Sequence, residues 1–347
     1  MRLVDNPPNP YVSRRDEWLG PLPPAHLEVI EEQARSIITR NDSPDVGARW
    51  TVNPYRGCGH ACTYCYARRT HEYLGWGAGT DFETRLTVKI NAPYLIRKEL
   101  AAPSWRKERV AFSGVTDCYQ PIETRYRLTR RCLEACLEVG NPVCVVTKSY
   151  LVVRDSGLLA ELAGTCGANV CISIPFTDLR SGCALEPGAP PPAQRFEAIR
   201  NLSAAGVPVG VLVAPVIPGL TDWQIPEILR RAAEAGARFA GHQALRLPGN
   251  VAGVFLKRLR EAMPAAATRI ESRLRGIRGG RLNDPRFGER MRGRGPYWES
   301  VEQLFEAACR RYGLKGPPCN LGGSCEAPGR VGANRRGVQL RFGFGED

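Results

Sequence analysis

A rhythm limits the fold of this chain more than any other feature. From Trp50 to about residue 250, short apolar runs rich in β-branched residues alternate with amphipathic stretches of helical period. The runs 51–54, 109–113, 142–147, 169–174, 208–214 and 238–245 read as strands. Between them, 63–73, 128–139, 156–163, 191–205 and 223–235 read as helices, with Gly140, Gly164, Gly206 and Gly236 placed to cap their C-termini. Strands joined through helices pair in parallel, because each crossover carries the chain back to the same end of the sheet. Six such units are too few for a closed eight-unit barrel. The spacing predicts an α/β fold: a partial (β/α)6 TIM-like barrel of parallel strands with a helical C-terminal extension.

Three regions follow. Residues 1–45 form a Pro-rich N-terminal extension, in which 26–39 carries apolar residues at helical spacing. Residues 46–250 form the barrel. Residues 251–347 are basic and mainly helical, with helices expected at 251–263, 265–277 and 300–312. This last region holds 19 Lys/Arg against 10 Asp/Glu, so +9 of the chain's net +13 resides there. Such a surplus suits phosphate-bearing partners, nucleic acid among them. Solvated helix faces account for it equally well, since no extended stripe of alternating basic and aromatic residues runs through that stretch.

The chain has 13 cysteines. It starts Met1-Arg-Leu-Val-Asp-Asn-Pro-Pro, without the apolar core of a secretory signal, and it has no apolar run near the roughly 20 residues needed to span a bilayer. A cytoplasmic location and no membrane partner are therefore expected. In a reducing compartment many thiols argue for metal binding, catalysis or burial rather than disulfides. One group of cysteines has a sharp spacing: Cys58-Gly-His-Ala-Cys62-Thr-Tyr-Cys65. It follows the first strand, at the C-terminal barrel face where active sites of such folds are built. Three thiolates from one loop hold three irons of a four-iron cluster and leave the fourth iron open. The same thiolates suit structural zinc if His60 or His71 supplies a fourth ligand, as in a non-catalytic, zinc-stabilised nucleic-acid-binding protein.

Cys-x3-Cys-x2-Cys with an aromatic residue before the last cysteine resembles the radical S-adenosylmethionine (SAM) superfamily. The flanks, Asn53-Pro-Tyr-Arg-Gly-Cys-Gly-His-Ala-Cys-Thr-Tyr-Cys-Tyr-Ala-Arg68, resemble its spore-photoproduct-lyase-like ("DNA repair photolyase") branch. The likeness continues through 79–83, 88–89, 114–123, 147–149, 154–155, 186–187, 218–222 and 245–248. It implies an enzyme with one [4Fe-4S] cluster ligated by Cys58, Cys62 and Cys65. Such an enzyme cleaves S-adenosyl-L-methionine reductively to a 5′-deoxyadenosyl radical for hydrogen abstraction, in nucleic-acid repair or modification or on a small molecule or peptide. It also implies a flavodoxin or ferredoxin-like electron donor. By position at the strand ends, Ser113, Thr116, Asp117, Lys148 and Ser173 are the expected cosubstrate contacts. Lys148 would pair with the methionyl carboxylate, and Ser173 would bond that group or the ribose. Tyr64 is expected near the adenine. Where many superfamily members carry a Gly-Gly-Glu-like segment, this chain has Ser113-Gly-Val-Thr-Asp117. Spore photoproduct lyase uses a cysteine as hydrogen-atom donor, and Cys118 is the residue expected in that role.

Cys132, Cys136, Cys144, Cys166 and Cys171 fall within expected helices, strands or their caps and read as packing residues. Cys309, Cys319 and Cys325 are candidates for a second cluster. No phosphate-binding loop and no nucleophile elbow occur in the sequence.

Overall fold

The computed structural model describes residues 3–13 and 20–316. Ten strands are present among them: β1 (Glu28–Glu32), β2 (Ile38–Arg40), β3 (Trp50–Val52), β4 (Tyr55–Arg56), β5 (Arg85–Lys89), β6 (Val110–Phe112), β7 (Val143–Thr147), β8 (Ala168–Ser173), β9 (Val209–Val216) and β10 (Phe239–Ala244). Seven of these form one sheet in the order β10-β9-β8-β7-β6-β3-β2, with β1, β5 and β4 in a small second sheet. Within the seven-stranded sheet every pairing from β3 to β10 is parallel and β2 runs antiparallel to β3; in the small sheet β5 pairs in parallel with β1 and antiparallel with β4. The six strands expected from the sequence are these six, in chain order, and they make a partial TIM-like barrel.

The strands belong there because they can be dry on both faces. β6, β8 and all but one residue of β7 are buried, which fits their near-continuous apolar runs. Outward-facing residues such as Val110, Phe112, Val143, Val145, Val170 and Ile172 pack in the main core against the surrounding helices. Inward, the two-residue period sets a floor of Ala111, Cys144, Cys171, Leu212 and Phe239. One step further along the same strands Ser113, Lys148 and Ser173 open into a cavity. The sheet does not close between β2 and β10. Across the gap, Asp45 accepts bonds from Gly288 N (2.5 Å) and Arg290 Nε (2.5 Å), which ties the loop after β2 to the C-terminal region.

Four local expectations need correction. Residues 26–39 are not helical: β1 pairs in parallel with β5, β2 pairs with β3, and the Glu99 carboxylate accepts from Ile37 N (2.8 Å) and Ile38 N (2.9 Å). Val29, Ile30, Ile37 and Ile38 are β-branched, and available sheet partners outweighed a weak helical period. Residues 63–73 make only a 3₁₀ turn at Tyr66–Arg68 and one helical turn at Arg69–Glu72, because contacts of the cysteine loop fix the preceding backbone. Gly164 lies within the helix Ser156–Thr165; Gly167, at φ +100°, makes the left-handed exit instead. The helix Ala92–Leu100 and strands β4 and β5 were not anticipated at all.

The C-terminal region carries the helices Val251–Ala262, Pro264–Gly276 and Pro296–Tyr312, each close to its expected position. Cys309 is buried with Trp298 and Phe305 in the main core, while Cys319 and Cys325 lie outside the described residues. No helix among the described residues is long and apolar enough to cross a membrane.

Candidate active site

The cysteine loop is shaped by backbone contacts before any ligand is considered. Gly57 has φ +73°, and a β-carbon there would meet Arg85 O and Leu86 Cδ2 at 2.9 Å, so this position admits only glycine. Cys58 N donates to Phe82 O (2.9 Å), Thr63 N to Leu185 O (2.8 Å), and Gly188 N to His60 O (3.0 Å). Gln120 spans the loop, accepting from Gly59 N (2.8 Å) and donating to Gly57 O (3.0 Å). These ties hold Ala61 at φ +55°, a left-handed conformation costing a non-glycine residue roughly 1–2 kcal/mol. The thiols of Cys58, Cys62 and Cys65 are free of disulfides, and all three residues line the barrel cavity of about 910 Å³.

The same cavity is lined by Tyr64, Ser113, Thr116, Asp117, Lys148 and Ser173, so the structure gathers these expected contacts around one space. They divide into two sets. Ser113 donates to Val146 O (2.6 Å) and accepts from Cys118 N (3.3 Å); Thr116 donates to Gly57 O (2.5 Å). Asp117 accepts from Thr147 Oγ1 (2.6 Å), Lys148 N (2.8 Å) and Tyr119 N (2.9 Å), and pairs with His60 Nδ1 at 3.3 Å. Burial opposes ionisation of Asp117, but His60 and these donors outweigh it and hold the carboxyl below its usual range. These three side chains are engaged in fastening the loop to the strand ends.

The second set faces inward as a group. Lys148 Nζ donates to Ser173 Oγ (2.6 Å) and Ala214 O (3.3 Å), lies 3.2 Å from Glu186 Oε1, and sits 5.9 Å from the centre of the Tyr64 ring. Burial pulls its ammonium down to about 8. Tyr64 OH donates to Glu186, whose other oxygen binds the buried guanidinium of Arg195. Glu186 and Arg195 were missed in the sequence reading as site residues. Glu186 stands 122 residues from Tyr64, and no local pattern announces that pairing.

Cys118 does not line the cavity: it is fully buried in the main core, with Thr129 Oγ1 bonded to its carbonyl at 2.5 Å. Its backbone amide donates to Ser113 Oγ (3.3 Å), and its thiol also lies in hydrogen-bond contact with the Ser113 side chain, which does line the cavity. Of the two histidines proposed to close a zinc site, His60 lines the cavity and contacts both Asp117 and the Cys58 side chain. His71 Nε2 bonds Arg85 O (2.9 Å), and its ring packs on Phe82 and Trp76. Among the described residues no three His, Cys, Asp or Glu side chains converge on a single-ion position.

The cavity mouth is basic and aromatic. Arg246, Arg290 and Arg292 line it with Tyr66. Arg246 lies 5.5 Å from the Tyr66 ring centre; outside the cavity lining, the exposed Phe287 ring centre lies 4.3 Å from Arg290, and Arg69 bonds the exposed Tyr11 (3.2 Å). Many C-terminal arginines are matched locally: Arg260 and Arg275 by Glu271, Arg286 by Asp284, Arg294 by Glu289. Arg246 differs, since its Nε has no hydrogen-bond partner and its Nη1 donates to the thioether sulfur of Met291 at 3.5 Å.

Comparison with known proteins agrees with this geometry. A model of the radical SAM superfamily matches residues 52–232. An uncharacterized protein of Mycobacterium tuberculosis is 41% identical over 234 residues, covering 66% of this chain and 69% of its own. An uncharacterized protein of Methanocaldococcus jannaschii is 31% identical over 199 residues, covering 56% and 70%. Among solved structures, a spore photoproduct lyase mutant with bound AdoMet and dinucleoside spore photoproduct shares the fold. It has a TM-score of 0.54 at 19% identity, covering 82% of this chain and 78% of that one.

Proposed function

The chain belongs to the radical SAM superfamily, whose enzymes use a [4Fe-4S] cluster and SAM, and we propose that it carries out that chemistry in the barrel cavity with Cys58, Cys62 and Cys65 as cluster ligands. One observation carries the reading: three free thiols on one loop, at the C-terminal mouth of a parallel partial barrel, line the same cavity as Lys148 and Ser173. When bound, the cluster and SAM supply a 5′-deoxyadenosyl radical that abstracts a hydrogen atom. The chain's own residues bind and orient. Lys148 presents a desolvated ammonium suited to a carboxylate, and Ser173 beside it offers a hydroxyl. Tyr64, pinned by Glu186, provides an aromatic wall. Ser113, Thr116 and Asp117 fix the loop against the strands. Residues 46–250 hold this machinery, and 251–347 complete the mouth through Arg290 and Arg292.

The test is anaerobic purification and reconstitution. The wild-type chain is expected to bind iron and sulfide and to release 5′-deoxyadenosine on reduction with SAM; Cys58→Ala, Cys62→Ala and Cys65→Ala each lose both. Full iron content and turnover in any one of the three would refute the ligand assignment. A flavodoxin or ferredoxin-like protein is the proposed reductant, and a reducing cytoplasm the proposed location.

For the substrate, the arginine and aromatic mouth favours nucleic acid repair or modification over a small molecule or peptide. Arginines contact phosphates and exposed rings offer stacking surfaces. Binding of oligonucleotides should weaken with salt, and Arg246→Gln should reduce both affinity and salt dependence. Absence of binding at low salt would turn the reading to a small molecule or peptide. Deuterium transferred from a labelled substrate into 5′-deoxyadenosine identifies the substrate directly.

A further inference from the structure

Directly after the cysteine loop stands an arginine that the chemistry above does not use. Arg68 is fully buried. Its guanidinium makes five hydrogen bonds, as many as it has N–H groups. Nε (2.9 Å) and Nη2 (2.8 Å) both donate to the carbonyl of Cys62. Nη1 donates to Ala78 O (3.0 Å) and Gly79 O (2.7 Å), and Nη2 also reaches Glu83 Oε1 at 2.5 Å. Glu83 receives a second guanidinium, Arg258 Nη1, on the same oxygen at 2.6 Å. Two arginines thus share one buried carboxylate, leaving a net positive charge in a dry region one peptide group from a cluster thiol.

The segment that anchors Arg68 is itself clamped. Phe82 O holds Cys58 N, so 78–83 secures two of the three cysteines. Residues of the N-terminal extension cover its turn: Thr80 N donates to Asp5 O (3.0 Å), Asp5 N to Thr80 Oγ1 (2.9 Å), and Asp81 N to Asn6 Oδ1 (3.1 Å). Contact is so close that a β-carbon on Gly79 would lie 1.9 Å from Asp5 O. Lys257 then pairs with Asp5 at 2.8 Å.

We propose that Arg68 is a positioning residue for the cluster loop, which fixes the Cys62 carbonyl and, with Glu83 and Arg258, sets a local positive charge that raises the cluster's reduction potential. The physical reason is simple. Adding an electron makes the cluster more negative, and a nearby desolvated cation favours that form, as charge and hydrogen bonding tune such clusters generally. Lysine in place of Arg68 keeps the charge but lacks the planar fork that reaches both Cys62 O and the 78–79 carbonyls.

The inference rests on the cluster assignment made above, and the experiment separates the two. Full-length wild type, Arg68→Lys, Arg68→Gln and Glu83→Gln are reconstituted anaerobically. Iron per chain is measured, and midpoint potentials are titrated by electron paramagnetic resonance. Arg68→Gln is expected to shift the potential down and Glu83→Gln to shift it up, while Arg68→Lys stays near wild type with less iron bound. A purely structural role would move Arg68→Gln and Glu83→Gln the same way, since both disturb one network. Shifts of one sign, or no shifts at matched loading, overturn the inference. If Arg68→Gln fails to load, Glu83→Gln decides alone, and a potential at or below wild type overturns it. A wild type that binds no cluster overturns the ligand assignment, and this inference with it.

Discussion

Replacing Glu186 by alanine tests the wall of the cavity most severely. The carboxylate is buried and meets three donors: Arg195, only 1% exposed, Lys148, 13% exposed, and Tyr64 OH. Without it Arg195 keeps only Pro190 O (2.8 Å) and Ser173 O (3.0 Å), both uncharged. Removing one partner of a buried pair costs about 3–5 kcal/mol, because the surviving charge stays desolvated. Two cations are orphaned here, so the loss should fall at the upper end, about 4–5 kcal/mol. Against a typical total of about 5–15 kcal/mol this is a large fraction. Urea unfolding of the apo chain reads the loss as a lower midpoint at unchanged slope. The double variant Glu186→Leu with Arg195→Met should recover most of it, since apolar groups of similar volume replace buried pairs at little cost. Iron loading should also fall in Glu186→Ala, as neighbouring Leu185 O and Gly188 N hold Thr63 and His60 of the cysteine loop. The reasoning is refuted if the single variant lies within about 1 kcal/mol of wild type, or if the double variant is no more stable than the single.

Three further outcomes follow from placement. Cys118→Ala should lose about 1 kcal/mol, the cost of deleting one buried heavy atom, with SAM cleavage and product identity unchanged; an altered product distribution in mass spectrometry would return Cys118 to the reaction. Gly79→Ala should expel the Asp5 backbone from its seat and cost about 1–3 kcal/mol, and protease should then cut faster within residues 3–13. Gly57→Ala should reduce iron loading more than Gly59→Ala, because a β-carbon at Gly59 finds its nearest atom at 3.6 Å while one at Gly57 meets backbone at 2.9 Å. Equal loading of the two variants would remove the claim that Gly57 shapes the loop.

Several parts of this molecule were legible in the residues because they are local. Within the runs 109–113, 142–147 and 169–174, strands β6 and β8 and all but one residue of β7 are buried, so their near-continuous apolar character marks them as strands. Gly140, Gly206 and Gly236 adopt the left-handed φ that helix exits require. The cysteine spacing packs three thiols into one loop whatever the rest does. The stretch 26–39 shows the opposite case. Its apolar spacing suits a helix, but β5, 57 residues away, supplies backbone partners to 28–32 and β3 supplies them to 38–40.

The site divides along the same line. Local sequence determined that three thiols share a loop at a strand end, and that Ser113, Lys148 and Ser173 occupy strand ends facing one way. Tertiary structure alone decided which of them are occupied. It spent Thr116 and Asp117 on the loop and buried Cys118 in the core. It joined Tyr64 to Glu186, seated Arg68 between Cys62 and Glu83, and gathered arginines and aromatic rings from separate segments around the mouth. The reason is that hydrogen bonds and charge pairs act through space over a few ångströms, while the sequence records only distance along the chain.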